Sequence, residues 1–300
     1  MPEADQDEWR DQAPTMEGAQ PSGNAPAPGE DRPAIPAPAS TGPSHGVAGG
    51  SARPASRGPV ATIVRVLDRV TGRAHDAILV GILVIGLAVV TGMAFLSGEV
   101  YESVKQGNGL ALIDGPALHL SVATRNPFSD TLVTAFTDLA GVVGMSIIAT
   151  IATALLVWRQ RSWTPAVLMV FAVAGSLTLT VAGKDLVGRA RPPLADAVPP
   201  YESSPSFPSG HTLNSTVIAG VLAYLVARAS NELAVRVSAI LIAIAWAGSV
   251  GLSRVWLGHH WLTDVAAGWT LGAMWVAVVI TAHQAWLRVR SRPRPRPALA

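Results

Sequence analysis

The sequence contains no cysteine. Disulfides, thiolate nucleophiles and cysteine-ligated metals therefore lie outside its chemistry. Lysine is nearly absent too: Lys105 and Lys184 are the only two, and every other basic side chain is an arginine. Acidic residues run out toward the end, where Asp264 is the only one between Leu233 and the C-terminus. No apolar run occurs in the first 60 residues, which hold 11 of the 23 prolines and are rich in Ala, Gly and Ser. Such a stretch cannot bury a core, so residues 1–60 are expected to be a disordered cytoplasmic tail. A cleavable signal peptide is not expected, because the N-terminus is acidic (Glu3, Asp5, Asp7, Glu8, Asp11) and has no early hydrophobic region. No internal repeat is visible.

What remains is strongly apolar. The 300 residues are 49% hydrophobic with a mean hydropathy of +0.36, and the Pro-rich tail dilutes both figures. Six runs of about 20 apolar residues, near 77–97, 135–158, 164–183, 212–229, 233–252 and 265–287, match the length that crosses a bilayer. An all-α bundle of six spans over 61–287 is expected, with a basic Arg-Pro tail at 288–300. The segment 61–76 alternates Val, Ile and Leu with Arg65, Asp68, Arg69 and Arg73 and reads as a surface helix ahead of the first span.

The net charge is +2 and the pI near 9.4. Nucleic acid is one partner for a basic chain, but the arginines here flank the spans, so membrane orientation is the simpler cause. Fourteen basic residues fall on one face, including Arg53–Arg73, Arg159, Arg161, Arg228, Arg236 and Arg288–Arg296. Six fall on the other: Lys105, Arg125, Lys184, Arg189, Arg191 and Arg254. Basic loops stay in the cytoplasm. Both termini are thus expected inside a plasma membrane, with loops 98–134, 184–211 and 253–264 outside.

Three short clusters share that outer face. Lys184 is followed after six residues by Arg191 and Pro192; Pro208-Ser209-Gly210-His211 opens the fourth span; Ser253-Arg254 is followed by His260 and Asp264. Converging, Lys184, Arg191 and Arg254 would bind a group with two or more negative charges, the arginine fork suiting phosphate oxygens. Ser209 suits an N-cap, Gly210 permits close approach, and the free N–H groups of a helix start attract anions. Asp264, four residues after His260, is placed to hold one imidazole nitrogen and leave the other free to attack, with His211 as a general acid. The site has too few carboxylates for a hard divalent cation, so no metal and no cofactor are expected.

These clusters resemble the signature of the type-2 phosphatidic acid phosphatase superfamily: Lys-x6-Arg-Pro, Pro-Ser-Gly-His and Ser-Arg-x5-His-x3-Asp. Every signature position is present across 184–264. The resemblance implies a phosphohistidine at His260 oriented by Asp264, and His211 protonating the leaving group. It implies that Lys184, Arg191, Arg254, Ser209 and Gly210 hold the phosphoryl oxygens, without a metal. Chemistry alone does not choose between His259 and His260; the family spacing selects His260. Substrates in view are undecaprenyl diphosphate or monophosphate, phosphatidic acid and phosphatidylglycerol phosphate.

Other functions fit the same clusters. A lipid phosphotransferase, a vanadate-dependent haloperoxidase and a non-catalytic anion-binding membrane protein use similar residues. Arg189 reads either as part of the phosphate field or as a solvated loop charge. Asp114, Arg125 and Asp130 either cap the site or are solvated. Trp246, Trp256 and Trp261 are expected to anchor at the interface.

Overall fold

A computed structural model describes residues 59–291, and their side chains from residue 72 onward. The Pro-rich tail and most of the Arg-Pro tail lie outside the described residues. Among those described there are eight α-helices and no strand. They are α1 (Pro59–Gln106), α2 (Asp114–Thr124), α3 (Pro127–Leu139), α4 (Val142–Gln160), α5 (Thr164–Val187), α6 (Gly210–Ala229), α7 (Leu233–Trp256) and α8 (Leu262–Arg290). Six have the length and composition to cross a membrane: α4 to α8 in full, and α1 over Gly72–Gln106.

The six-span count stands, with two corrections. The expected second span, 135–158, is two elements: α3 ends at Leu139, Gly141 is extended (φ −70, ψ 179), and α4 begins at Val142. Hydropathy runs unbroken across this turn. Gly144 marks it instead, since a Cβ there would collide with the Leu139 carbonyl. The segment 98–134, expected as a loop, is almost wholly helical. It carries the end of α1, a short 3-10 turn at Gly109–Ile113, then α2 and the start of α3. Asn126 caps α3 by accepting from Phe128 N and Ser129 N, with Pro127 at the first helical position. The expected surface helix at 61–76 is not separate from the first span, because α1 is continuous for 48 residues.

The bundle is organised around α6, which packs against α4, α5, α7 and α8. Leu213, Val217 and Val221 on α6 are fully buried, with Ala172 from α5 and Val279 from α8 beside them. Outward-facing Ile85, Leu87, Val170, Ile242 and Ile244 are exposed. In water such a surface would aggregate; among lipid chains it costs nothing, and helices instead meet through small residues. Gly272 on α8 lies against Thr216, and Gly220 on α6 against Val276.

α1 and α8 pair along their length, and His75 Nε2 lies 2.6 Å from the Arg288 carbonyl. The start of the first span and the end of the last are therefore at one end of the bundle. The opposite end gathers the C-termini of α5 and α7 and the N-termini of α6 and α8, where the three sequence clusters lie.

Candidate active site

The α7–α8 turn places two histidines in the protein interior. Gly258 has φ +69, and any Cβ there would strike the Asp196 carbonyl, so only glycine makes this turn. The turn closes through His259 N and His260 N, both donating to the Arg254 carbonyl. His260 is 1% exposed and Asp264 fully buried. Their side chains meet at 3.4 Å between His260 Nδ1 and Asp264 Oδ2, and Nδ1 has no other partner. On the far side of the ring, Arg191 Nη1 is 3.2 Å from Nε2. Arginine can only donate, so this contact together with the Asp264 carboxylate fixes the tautomer: the proton on Nδ1, the lone pair on Nε2. Burial, opposed by Asp264 and assisted by Arg191 and Arg254, pushes the His260 pKa down to about 4. The ring is therefore neutral, and Nε2 nucleophilic, at neutral pH.

His259 is turned away. Its Nε2 meets the Val198 carbonyl at 2.6 Å, which makes it a strut for the α5–α6 loop.

Asp264 is held from three directions. Trp261 N donates to Oδ2 at 2.9 Å, Arg189 Nη1 to Oδ1 at 2.6 Å, and His260 faces Oδ2. The ion-pair partner of Asp264 is Arg189. Arg189 in turn donates from Nη2 to Asp114 at 2.7 Å, and Thr263 N and Oγ1 donate to the same carboxylate at 2.8 and 2.6 Å. Asp114 is 4% exposed, so neither it nor Arg189 is a solvated charge. The indole of Trp261 lies under Arg189 at 5.5 Å and donates to the Ala190 carbonyl, so it braces the site. Replacing Asp114 by alanine leaves Arg189 with one buried carboxylate and orphans two Thr263 donors. Breaking such a pair is expected to cost roughly 3–5 kcal/mol, and a lowered melting temperature of the purified variant checks it; an unchanged one contradicts the network.

The Pro208–His211 segment is wedged between α5 and α8. A Cβ on Gly183 of α5 would lie 2.5 Å from Pro208 Cδ, and one on Gly268 of α8 would lie 3.1 Å from the Ser209 carbonyl. Only glycine at both places lets the segment sit this deep. Ser209 is the N-cap of α6 but its hydroxyl does not cap the helix; it accepts from Thr212 Oγ1 at 2.9 Å, while Ser209 N donates to the Asp264 carbonyl at 3.1 Å. The first-turn N–H groups of α6 have no intrahelical acceptor and point into the same space.

The three cations converge through the α5–α6 loop. Lys184 Nζ donates to Ser204 Oγ at 2.8 Å, and Arg191 donates to Ser204 Oγ and the Ser204 carbonyl. Arg191 Nη2 also pairs with Glu202 Oε2 at 2.6 Å, and Arg254, only 2% exposed, pairs with Glu202 Oε1. The same carboxylate lies 3.9 Å from His211 Nδ1 and 4.0 Å from His260 Nε2. His260, His211, Arg191 and Arg254 thus meet at the Glu202 carboxylate, with Lys184 bound to the same loop, Asp264 behind His260, and Ser209 joined through its N–H to the Asp264 carbonyl. Glu202 is the residue sequence reading missed. Burial alone would raise its carboxyl; Arg254, Arg191, His260 and His211 together outweigh that and hold it down at about 2. An acid kept ionised by that surround marks the pocket as an anion site.

A family model described as the PAP2 superfamily matches residues 165–288. Phosphatidylglycerophosphatase B of Bacillus subtilis (strain 168) is 30% identical over 172 residues, which cover 56% of this chain and 81% of that protein. In three dimensions the chain resembles the crystal structure of the first transmembrane PAP2 type phosphatidylglycerolphosphate phosphatase from Bacillus subtilis. That match has a TM-score of 0.57 and 25% identity, over 66% of this chain and 96% of that one. LpxE of Aquifex aeolicus aligns with a TM-score of 0.44 and 20% identity over 56% of this chain and 94% of that one. The chain belongs to the PAP2 superfamily. It is a multi-pass membrane phosphatase of that family.

Proposed function

We propose that the protein hydrolyses a lipid phosphomonoester or diphosphate through a phosphohistidine. Nε2 of His260 attacks phosphorus, the P–O bond to the lipid breaks, and His211, which takes up a proton as the phosphate dianion enters beside it, gives that proton to the departing oxygen. Water then adds to phosphorus, the N–P bond breaks, His211 takes the water's proton, and inorganic phosphate leaves. Asp264 keeps the proton on Nδ1 throughout and stabilises the charge that the ring acquires. Lys184, Arg191, Arg254, the Ser209 hydroxyl and the Gly210 N–H hold the phosphoryl oxygens, and stabilising that charge is the main task in phosphoryl transfer.

One observation carries this reading. The two histidines reach the two oxygens of a single bound carboxylate, His260 Nε2 at 4.0 Å from Oε2 and His211 Nδ1 at 3.9 Å from Oε1 of Glu202. A phosphoryl group in that place would have both nucleophile and acid beside it. The relative named for phosphatidylglycerophosphate makes that lipid the first substrate to try, followed by phosphatidic acid and undecaprenyl diphosphate.

The test is phosphate release from these three lipids by the detergent-purified protein, with and without EDTA. Release unaffected by EDTA is expected; loss of release with the chelator, restored by a divalent cation, would refute the metal-independent route.

The site is read as extracytoplasmic, with both chain ends cytoplasmic, on the imbalance of fourteen basic residues against six. The absence of cysteine makes this simple to check. Asn108→Cys, at the site end, is expected to react with a membrane-impermeant maleimide in intact cells. Ser230→Cys, in the α6–α7 turn, is expected to react only after permeabilisation. The reverse pattern inverts the topology.

A further inference from the structure

Glu202 has no part in the reaction, yet every basic group of the pocket is arranged around its loop. Its carboxylate takes Arg254 and Arg191, and stands between the two histidines. Lys184 is engaged by the same loop, donating to Ser204 Oγ at 2.8 Å and to the Pro205 carbonyl at 2.5 Å. Residues 202–205 therefore supply acceptors to all three cations in the place where phosphoryl oxygens would lie. Two anions cannot share that place, since at this separation their repulsion in a poorly solvated pocket is large.

The loop is tied at both ends by contacts away from the cations, and between those ends it is held by Lys184, Arg191 and Arg254. Upstream, Val198 N donates to the Leu257 carbonyl at 2.9 Å, and the Val198 carbonyl meets His259. Downstream, Ser206 N donates to the Arg189 carbonyl at 2.8 Å, Ser206 Oγ donates to the Ala190 carbonyl, and Phe207 is buried. Residues 199–205 have no regular secondary structure, and Tyr201 is 55% exposed. Glu202 can leave the pocket by movement of this short segment alone, both anchors staying in place.

We propose that Glu202 is an internal competitive ligand of the anion site: it fills the phosphoryl position in the empty enzyme, and every anion binds by displacing it. The proposal rests on the phosphatase reading above. It keeps Arg191 and Arg254 paired when no substrate is present, and the returning carboxylate competes with inorganic phosphate after turnover. Displacement also has a signature. A competitor that must leave weakens every ligand by one common factor, the fraction of open sites. A fixed nearby charge would weaken a dianion more than a monoanion.

The full chain in detergent is compared with Glu202→Gln and Glu202→Asp. Dissociation constants for inorganic phosphate and for dimethyl phosphate are read from ligand-induced shifts in melting temperature. Glu202→Gln is expected to bind both at least about tenfold more tightly, by factors that agree within about twofold. Glu202→Asp, one methylene shorter, is expected to show a smaller common gain. In turnover of phosphatidic acid, KM falls in Glu202→Gln and kcat does not rise. An unchanged or weakened phosphate affinity, or a gain much larger for phosphate than for dimethyl phosphate, overturns the proposal. Affinity is read here without turnover. Matched gains in a protein that hydrolyses no lipid phosphate would remove the phosphatase reading and leave the internal ligand; ordinary hydrolysis without gains would do the opposite.

Discussion

Replacing His260 by alanine is expected to abolish phosphate release, by at least about 10³-fold, because the covalent route then has no nucleophile. The neighbouring His259 cannot substitute, since its Nε2 is spent on the Val198 carbonyl and its ring faces away from the pocket. The fold should survive, as the loss leaves a small void beside Arg191 and Asp264. Phosphate release and the melting temperature of His260→Ala, measured together, separate loss of chemistry from loss of structure. A variant that stays folded and retains release above about a tenth of the wild type removes His260 from the mechanism.

The second large effect concerns His211 and depends on the substrate. Its imidazole, at the first turn of α6, approaches the Glu202 oxygen that His260 does not. As the general acid, it matters in proportion to how poorly the leaving group departs unprotonated. His211→Asn is expected to lower release from a lipid phosphate by roughly 10²–10⁴-fold. Release from an aryl phosphate, whose leaving group departs as the anion, should fall far less at the first step. A burst of aryl alcohol followed by slow turnover is expected, because the same residue then activates water. Equal losses on both substrates, with no burst, would assign His211 to binding alone.

Much of the site was legible in the sequence because its residues are rare in their surroundings. Asp264 is the last acid in the chain and Lys184 one of two lysines, so their positions stand out against apolar spans. Structure brings both to one pocket with His260, His211, Arg191 and Arg254, as the spacing implied. What escaped was the layer that depends on long-range pairing. Arg189 lies inside the first cluster, but its partners are Asp114, 75 residues before it, and Asp264, 75 residues after. Glu202 lies in a Ser- and Pro-rich loop whose local composition says only that the chain turns. Its surroundings are Arg191 of the same loop and Arg254, His211 and His260 on three other elements, and no periodicity or spacing encodes that.

The fold shows the same division. Six spans follow from the length of the apolar runs. The break at Ala140 and Gly141 does not, because α3 packs on α7 at the site end and the apolar residues Leu139 to Val143 run across the turn without a polar interruption. Its start was readable from Asn126 and Pro127, a cap followed by a residue preset for the first turn. Thr137 on α3 accepts from both Ser253 and Arg254, so this missed helix forms part of the pocket's support.

The central claim is a phosphoryl group carried on His260. The most direct test is a rapid quench of the full enzyme with phosphatidic acid labelled with radioactive phosphorus in its phosphate. The denatured protein is then fragmented under alkaline conditions, where phosphohistidine survives and phosphoserine does not. The account predicts an alkali-stable, acid-labile label on the peptide containing His260, absent from His260→Ala. Turnover with no labelled protein at any quench time, or label on another residue, would contradict it.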